Sequence, residues 1–149
     1  GTDTLVLNGV VPGTHEVVVD LSQADQVVSI GGTLDNILVQ SHFENLNATG
    51  IGSFVTANGS AGDNLIIGSQ GNDRITGGAG NDTLVGGAGF DTYVIDAQSG
   101  ADTIIDSDGS GQIVFNGIAL TVQGKLGVGT SSPTYKVDVV GDVHLVGRS

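Results

Sequence analysis

The chain has 149 residues, with 26 Gly, no Cys, no Trp and a net charge of −12 from four Lys or Arg against sixteen Asp or Glu. This balance argues against nucleic acid as a partner, because phosphate binding needs clustered Lys and Arg, and the absence of Cys excludes disulfides, thiolate metal sites and a cysteine nucleophile. No stretch approaches the ~20 apolar residues of a membrane span, and an abundance of Val, Ile, Thr, Gly and Asn favours strands and turns over helices.

Residues 1–58 read as short strands at 4–7, 16–21, 26–30, 36–40 and 53–56, separated by turn signals such as Asn8-Gly9, Pro12-Gly13 and Gly31-Gly32. Strands at such spacing with turn punctuation predict an all-β arrangement. This segment is expected to be an irregular solenoid cap stacked on residues 59–111. Residues 43–50 are expected to lead into that region.

Residues 59–94 are four nonapeptides in unbroken succession: GSAGDNLII, GSQGNDRIT, GGAGNDTLV and GGAGFDTYV. Gly recurs at the first and fourth places, an acid or amide at the sixth and a large apolar residue at the eighth. A short fixed period of this kind marks a solenoid. Each repeat reads as a six-residue turn and a three-residue strand, so two repeats make one coil of about 18 residues, with Ile66, Ile75, Leu84 and Tyr93 pointing inward.

Fourteen of the sixteen acids are Asp. A short carboxylate in a Gly-rich turn stays close to backbone carbonyls, and Ca²⁺ takes six to eight oxygens of these kinds. Residues 95–111 continue at wider spacing, with Asp102 eleven residues after Asp91. Residues 112–123 read as closing strands, 112–115 and 118–122, in a hairpin around Asn116-Gly117. Residues 124–149 read as an extended C-terminal appendage with strands at 135–140 and 143–146. Residues 1–111 sum to a charge of −13 and residues 112–149 to +1, which supports a boundary near Gly124. With no initiating Met and no signal peptide, the chain reads as a piece of a longer one.

The array resembles the RTX (repeats-in-toxin) family of secreted bacterial proteins, whose pattern is Gly-Gly-x-Gly-x-Asp-x-(large apolar)-x. The copies at residues 77–85 and 86–94 are the nearest to it. The resemblance implies an all-β parallel β-roll, a β-solenoid with Gly/Asp-rich turns that hold Ca²⁺ between coils, followed here by a short C-terminal β extension. The implied ligands are Asp73 with Asp91, Asn64 with Asp82, and Asp82 with Asp102, together with the backbone carbonyls of Gly68, Gly71, Gly77, Ala79, Gly80, Gly86, Ala88 and Gly89. Asn64 brings one negative charge fewer than an Asp, and the Asp82–Asp102 pair is two residues longer than the others. The tract 124–149 resembles a short motif of phage tail fibres, Leu-Gly-Ile-Gly-Thr-x-x-Pro-x-Tyr-Lys-Leu-Asp-Val, which implies oligomerisation through this tract.

The expected function is a non-enzymatic, calcium-folded structural module of a secreted or cell-surface bacterial protein, such as a toxin, an adhesin or an exported enzyme delivered by type I secretion. Partners would be calcium ions and a host-surface or polysaccharide ligand of the parent protein. The alternatives are a polysaccharide-binding module of a carbohydrate-active enzyme and an oligomeric surface or fibre element. His15, His42 and His144 are scattered over different segments and form no catalytic group. No Gly-x-Ser-x-Gly elbow is present, and the Gly-rich tracts lack the Lys and the following helix of a phosphate loop.

Overall fold

The computed structural model describes residues 1–9, 15–24, 26–31, 33–34 and 41–117. Every regular element among them is a strand: β1 (Thr4–Gly9), β2 (Val17–Asp20), β3 (Val27–Ile30), β4 (Thr33–Leu34), β5 (Asn45–Ile51), β6 (Val55–Asn58), β7 (Leu65–Ile67), β8 (Arg74–Thr76), β9 (Thr83–Val85), β10 (Asp91–Asp96), β11 (Thr103–Ile105) and β12 (Gly111–Asn116).

The strands form two sheets, β1-β5-β7-β9-β11 and β12-β10-β8-β6-β2-β3-β4. From β5 onward the chain alternates between them, and each new strand pairs in parallel with the one laid down a coil earlier. This is a parallel β-roll. Its short strands would not hold alone; each is fixed by the coils on either side, and the apolar eighth positions make that stacking favourable. Leu5, Leu46, Ile66, Leu84 and Ile104 stand in register across the first sheet. Val19, Ala57, Ile75, Tyr93 and Ile113 do so across the second. Ile66, Ile75 and Leu84 are fully buried, each worth about 1.5–3 kcal/mol of transfer free energy. The ladders weaken towards β12, where Ile113 is 50% exposed.

Several local expectations change. Residues 45–51 form β5, a full rung paired with both β1 and β7, rather than a lead-in. Leu46 and Ala48 face the core from alternate positions, but the polar Asn45, Asn47 and Thr49 that flank them hide the strand in the sequence. β2, β3 and β4 pair antiparallel, so the far margin of the second sheet is a meander rather than a coil. β12 pairs in parallel with β10; its expected hairpin partner at 118–122 lies outside the described residues, as do the strand at 36–40, the tract 124–149 and His144.

The wider spacing after Asp91 is absorbed locally. β10 runs to Asp96, three residues beyond the eighth-position Tyr93, and the next turn is tied by Ser99 N–H to the Asp96 carbonyl and Gln98 N–H to Asp96 Oδ1. Beyond this turn Thr103 still lies opposite Thr83.

Candidate metal centre

The turns between the sheets stack along two edges of the roll. Residues 59–64, 77–82 and 97–102 lie along one, and residues 68–73, 86–90 and 106–110 along the other. The sixth residue of each repeat begins or directly precedes a strand and points back into its own turn. Asp73, Asp82 and Asp91 are at most 2% exposed there, and Asn64 is also buried.

One carboxylate oxygen from each Asp ties the coils together. Val55 N–H donates to Asp73 Oδ1 at 2.7 Å, Asn64 N–H to Asp82 Oδ1 at 2.8 Å, Asp73 N–H to Asp91 Oδ1 at 2.9 Å and Asp82 N–H to Asp102 Oδ1 at 3.1 Å. The structure therefore brings together all three residue pairs implied by the repeat, including the longer Asp82–Asp102 pair. Hydrogen bonds to an ionised acceptor are about twice as strong as neutral ones. A second ladder, on the fifth position, runs in the opposite sense. Asp63 Oδ1 accepts from Asn81 N–H, Asn72 Oδ1 from Phe90 N–H and Asn81 Oδ1 from Ala101 N–H, at 2.8, 2.8 and 2.9 Å. Position six reaches back one coil and position five reaches forward one.

The other oxygen separates two kinds of turn. In the first two repeats position two is Ser. Asp73 Oδ2 accepts Ser69 N–H at 2.5 Å while Ser69 Oγ donates to Asp73 Oδ1 at 2.6 Å. Asn64 Oδ1 likewise accepts Ser60 N–H at 2.6 Å, and its amide donates to the Glu44 carbonyl. In the last two repeats position two is Gly. Gly78, Gly80, Gly87 and Gly89 take φ between 94° and 111°, a region open to Gly at little cost. Here Asp82 Oδ2 and Asp91 Oδ2 are buried without a hydrogen-bond partner, and so is Asp102 Oδ2. A buried carboxylate oxygen without a donor is costly.

Backbone carbonyls meet these carboxylates. A Cβ placed on Gly68 would lie 2.2 Å from the Gly86 carbonyl oxygen and 2.3 Å from Asp73 Oδ2, so oxygens from adjacent coils converge on one small space beside a glycine. At Gly59 the Gly77 carbonyl oxygen and Asn64 Oδ1 converge in the same way. The Gly71 and Gly80 carbonyls approach Gly89 and Gly100 in the coil above, beside Asn72 Oδ1 and Asn81 Oδ1. Gly68, Ala79, Ala88 and Gly89 belong to the same turns, with the N–H groups of Ala79 and Ala88 donating to the Ser60 and Ser69 carbonyls below. Among the described residues no three Asp, Glu or His side chains form a metal-holding cluster. A cation here would draw its shell from one carboxylate per turn plus main-chain oxygens, a donor set that suits Ca²⁺.

The electrostatics point the same way. Burial pushes Asp73 up to about 6, against the three hydrogen bonds it accepts. Burial also raises Asp82 and Asp91, aided by Asp102 and Asp63 for the first and by Asp106 and Asp108 for the second. The stacked turns thus hold more negative charge than their own donors compensate, and a divalent cation would supply the missing positive charge.

Position-two Ser, the position-five ladder and the pair Asp106 and Asp108 were not among the expected site residues. The recurrence of Asp63, Asn72 and Asn81 at the fifth place was a readable signal. Asp106 carried none, because it lies outside the nonapeptide frame.

A parallel β-roll whose stacked Gly/Asp turns leave buried carboxylate oxygens unpartnered defines a metal-binding repeat module. Residues 58–93 match the family model of the RTX calcium-binding nonapeptide repeat, in four copies. This segment of the chain is therefore an RTX repeat array, and the module it forms is a calcium-binding structural one. No curated protein and no solved structure matches the chain.

Proposed function

We propose that this chain is a non-enzymatic module whose β-roll is folded by calcium, and that it serves a secreted or cell-surface protein such as a toxin, an adhesin or an exported enzyme. The observation that carries this reading is the set of buried, unpartnered Oδ2 atoms of Asp82, Asp91 and Asp102. Without a cation these charges repel one another and lack solvation; with one, metal binding and folding become a single equilibrium. A module of this kind stays loosened where calcium is scarce and orders where it is plentiful, which suits folding after export. His42 takes a left-handed backbone conformation (φ 67°) and bonds its neighbour Ser41, while the His15 ring lies against Gly31. Neither sits in the turns that carry the carboxylates.

The test is circular dichroism of the whole chain, first in chelator and then in millimolar calcium. A β spectrum that appears with calcium supports the proposal, and one indifferent to both overturns it. A second reading, an oligomeric surface element, draws support from β12, an edge strand that leaves Ile113, Val114 and Phe115 exposed. Light scattering across a concentration series separates that reading from a monomeric module.

A further inference from the structure

The turn after β11 does not follow the nonapeptide, yet it stacks on the turn at 86–90 in full register. Gly68 N–H donates to the Val85 carbonyl and Gly86 N–H to the Ile105 carbonyl, so the place held by Gly86 in one coil is held by Asp106 in the next. At the other end of the same turn Gly111 lies opposite Asp91. The third turn therefore has acid at place one and glycine at place six, the reverse of the repeat. A Cβ on Gly111 would lie 2.7 Å from Asp106 Oδ2 and 2.9 Å from the Asp91 carbonyl oxygen, so the carboxylate still fills the space beside a glycine, entering from the opposite end.

Below it, two buried groups are short of partners. Asp91 Oδ2, on a fully buried residue, makes no hydrogen bond, and the Tyr93 hydroxyl, on a residue 2% exposed, has no well-aligned partner, with only the Gly86 main chain close to it. Both converge on Gly86, where a Cβ would lie 2.0 and 2.2 Å from them. One coil earlier, at Gly68, the corresponding pair is an Asp oxygen and a main-chain carbonyl; at Gly86 the phenol oxygen takes the carbonyl's place. An open depression of about 370 Å³, lined by Tyr93, Asp106, Gly109, Gly111 and Ile113 among others, gives access from solvent.

We propose that Asp91, Tyr93 and Asp106 form a further calcium site at the end of the roll, one rung past the nonapeptide array. It rests on the calcium reading above, but its ligands depart from the nonapeptide set: the hydroxyl of a tyrosine at the inward eighth position and an acid displaced to the start of the turn. Hard oxygen donors of carboxylate and hydroxyl type select Ca²⁺ or a lanthanide stand-in over softer metals.

Terbium tests it. The chain has two Tyr and no Trp, so terbium emission excited through the protein arises only beside Tyr93 or Tyr135. The whole, calcium-stripped chain should give sensitised emission that excess calcium displaces. Tyr135→Phe should keep that emission and Tyr93→Phe should lose it. Because Tyr93→Phe also alters the core, Asp106→Asn is the second arm. It should lower the emission at least several-fold and bind one calcium ion fewer by equilibrium dialysis. Unchanged emission and ion count in Asp106→Asn would overturn the site, since nonapeptide turns alone would then account for the metal. Wild-type dichroism indifferent to calcium, with emission through Tyr93 intact, would retire the folding reading and leave this site standing.

Discussion

The main-chain N–H of Asp73 donates to Oδ1 of Asp91 one coil later, at 2.9 Å, while Oδ2 of Asp91 has no partner. One carboxylate thus has two separable oxygens: Oδ1 sets the register between coils, and Oδ2 is left for the cation proposed above. Asp91→Asn keeps an acceptor for Asp73 and removes the charge. It should melt higher than wild type in chelator and gain less on adding calcium. Asp91→Ala strands the Asp73 N–H, at a cost of about 1–3 kcal/mol, and should melt lower in both. Thermal melts of the two variants with and without calcium check the pair. If Asn and Ala behave alike, the division of labour is wrong.

The raised carboxylates set a pH dependence of definite sign. Asp73 titrates near 6 in the folded chain against 3.8 as its ordinary value, so the metal-free folded state holds its proton more tightly than the unfolded chain. The resulting stabilisation is complete below about 3.8, falls as pH rises, and is gone above about 6. For this group it amounts to roughly 3 kcal/mol, and Asp82 and Asp91 act in the same direction. Urea melts in chelator should therefore show a more stable roll at about pH 5 than at about pH 7.5. Calcium competes with those protons, so its affinity should fall as the pH drops through the same window. Equal metal-free stability at the two pH values would refute the assignment.

Position two offers a third test. Ser69 gives its N–H to Asp73 Oδ2 and shares its single hydroxyl proton between Asp73 Oδ1 and the Ser53 carbonyl, doing by hydrogen bonds part of what the proposed cation would do at the Gly-Gly turns. Ser69→Gly removes the hydroxyl and should cost about 1 kcal/mol in chelator. It should also make the folded state more dependent on calcium, because Asp73 then resembles Asp82. The chelator melt and the slope of melting temperature against calcium concentration report both effects.

The legible part of the site is the part that repeats. Asp73, Asp82 and Asp91 stood out because the same residue recurs at the same place while its neighbours change, and their stacking is implied once two repeats make a coil. β5 was hidden because burial there alternates through small and polar residues, so that Leu46 and Ala48 alone carry the pattern. The inversion at Asp106 and Gly111 was invisible for a different reason. A motif records which residue holds a place, whereas the roll needs only a carboxylate beside a glycine, and either end of the turn can supply it. The two turn types were written plainly as Gly-Ser and Gly-Gly, but their meaning depends on where the Asp oxygens point, which appears only in three dimensions.

The core ladder makes the last prediction. Ile75 and Ile113 belong to one register, with Tyr93 between them, but Ile75 is fully buried and Ile113 is 50% exposed. Ile75→Ala opens a cavity between coils that are held on both sides, and should cost about 2–5 kcal/mol in saturating calcium. Ile113→Ala trims the last rung among the described residues, where solvent already reaches the side chain, and should cost less than about 1 kcal/mol. In a solenoid each coil contacts only its neighbours, so the end rung can fray without the interior. Denaturant midpoints of the two variants in calcium measure the difference. A loss at Ile113 as large as that at Ile75 would mean that the end of the roll is covered in solution.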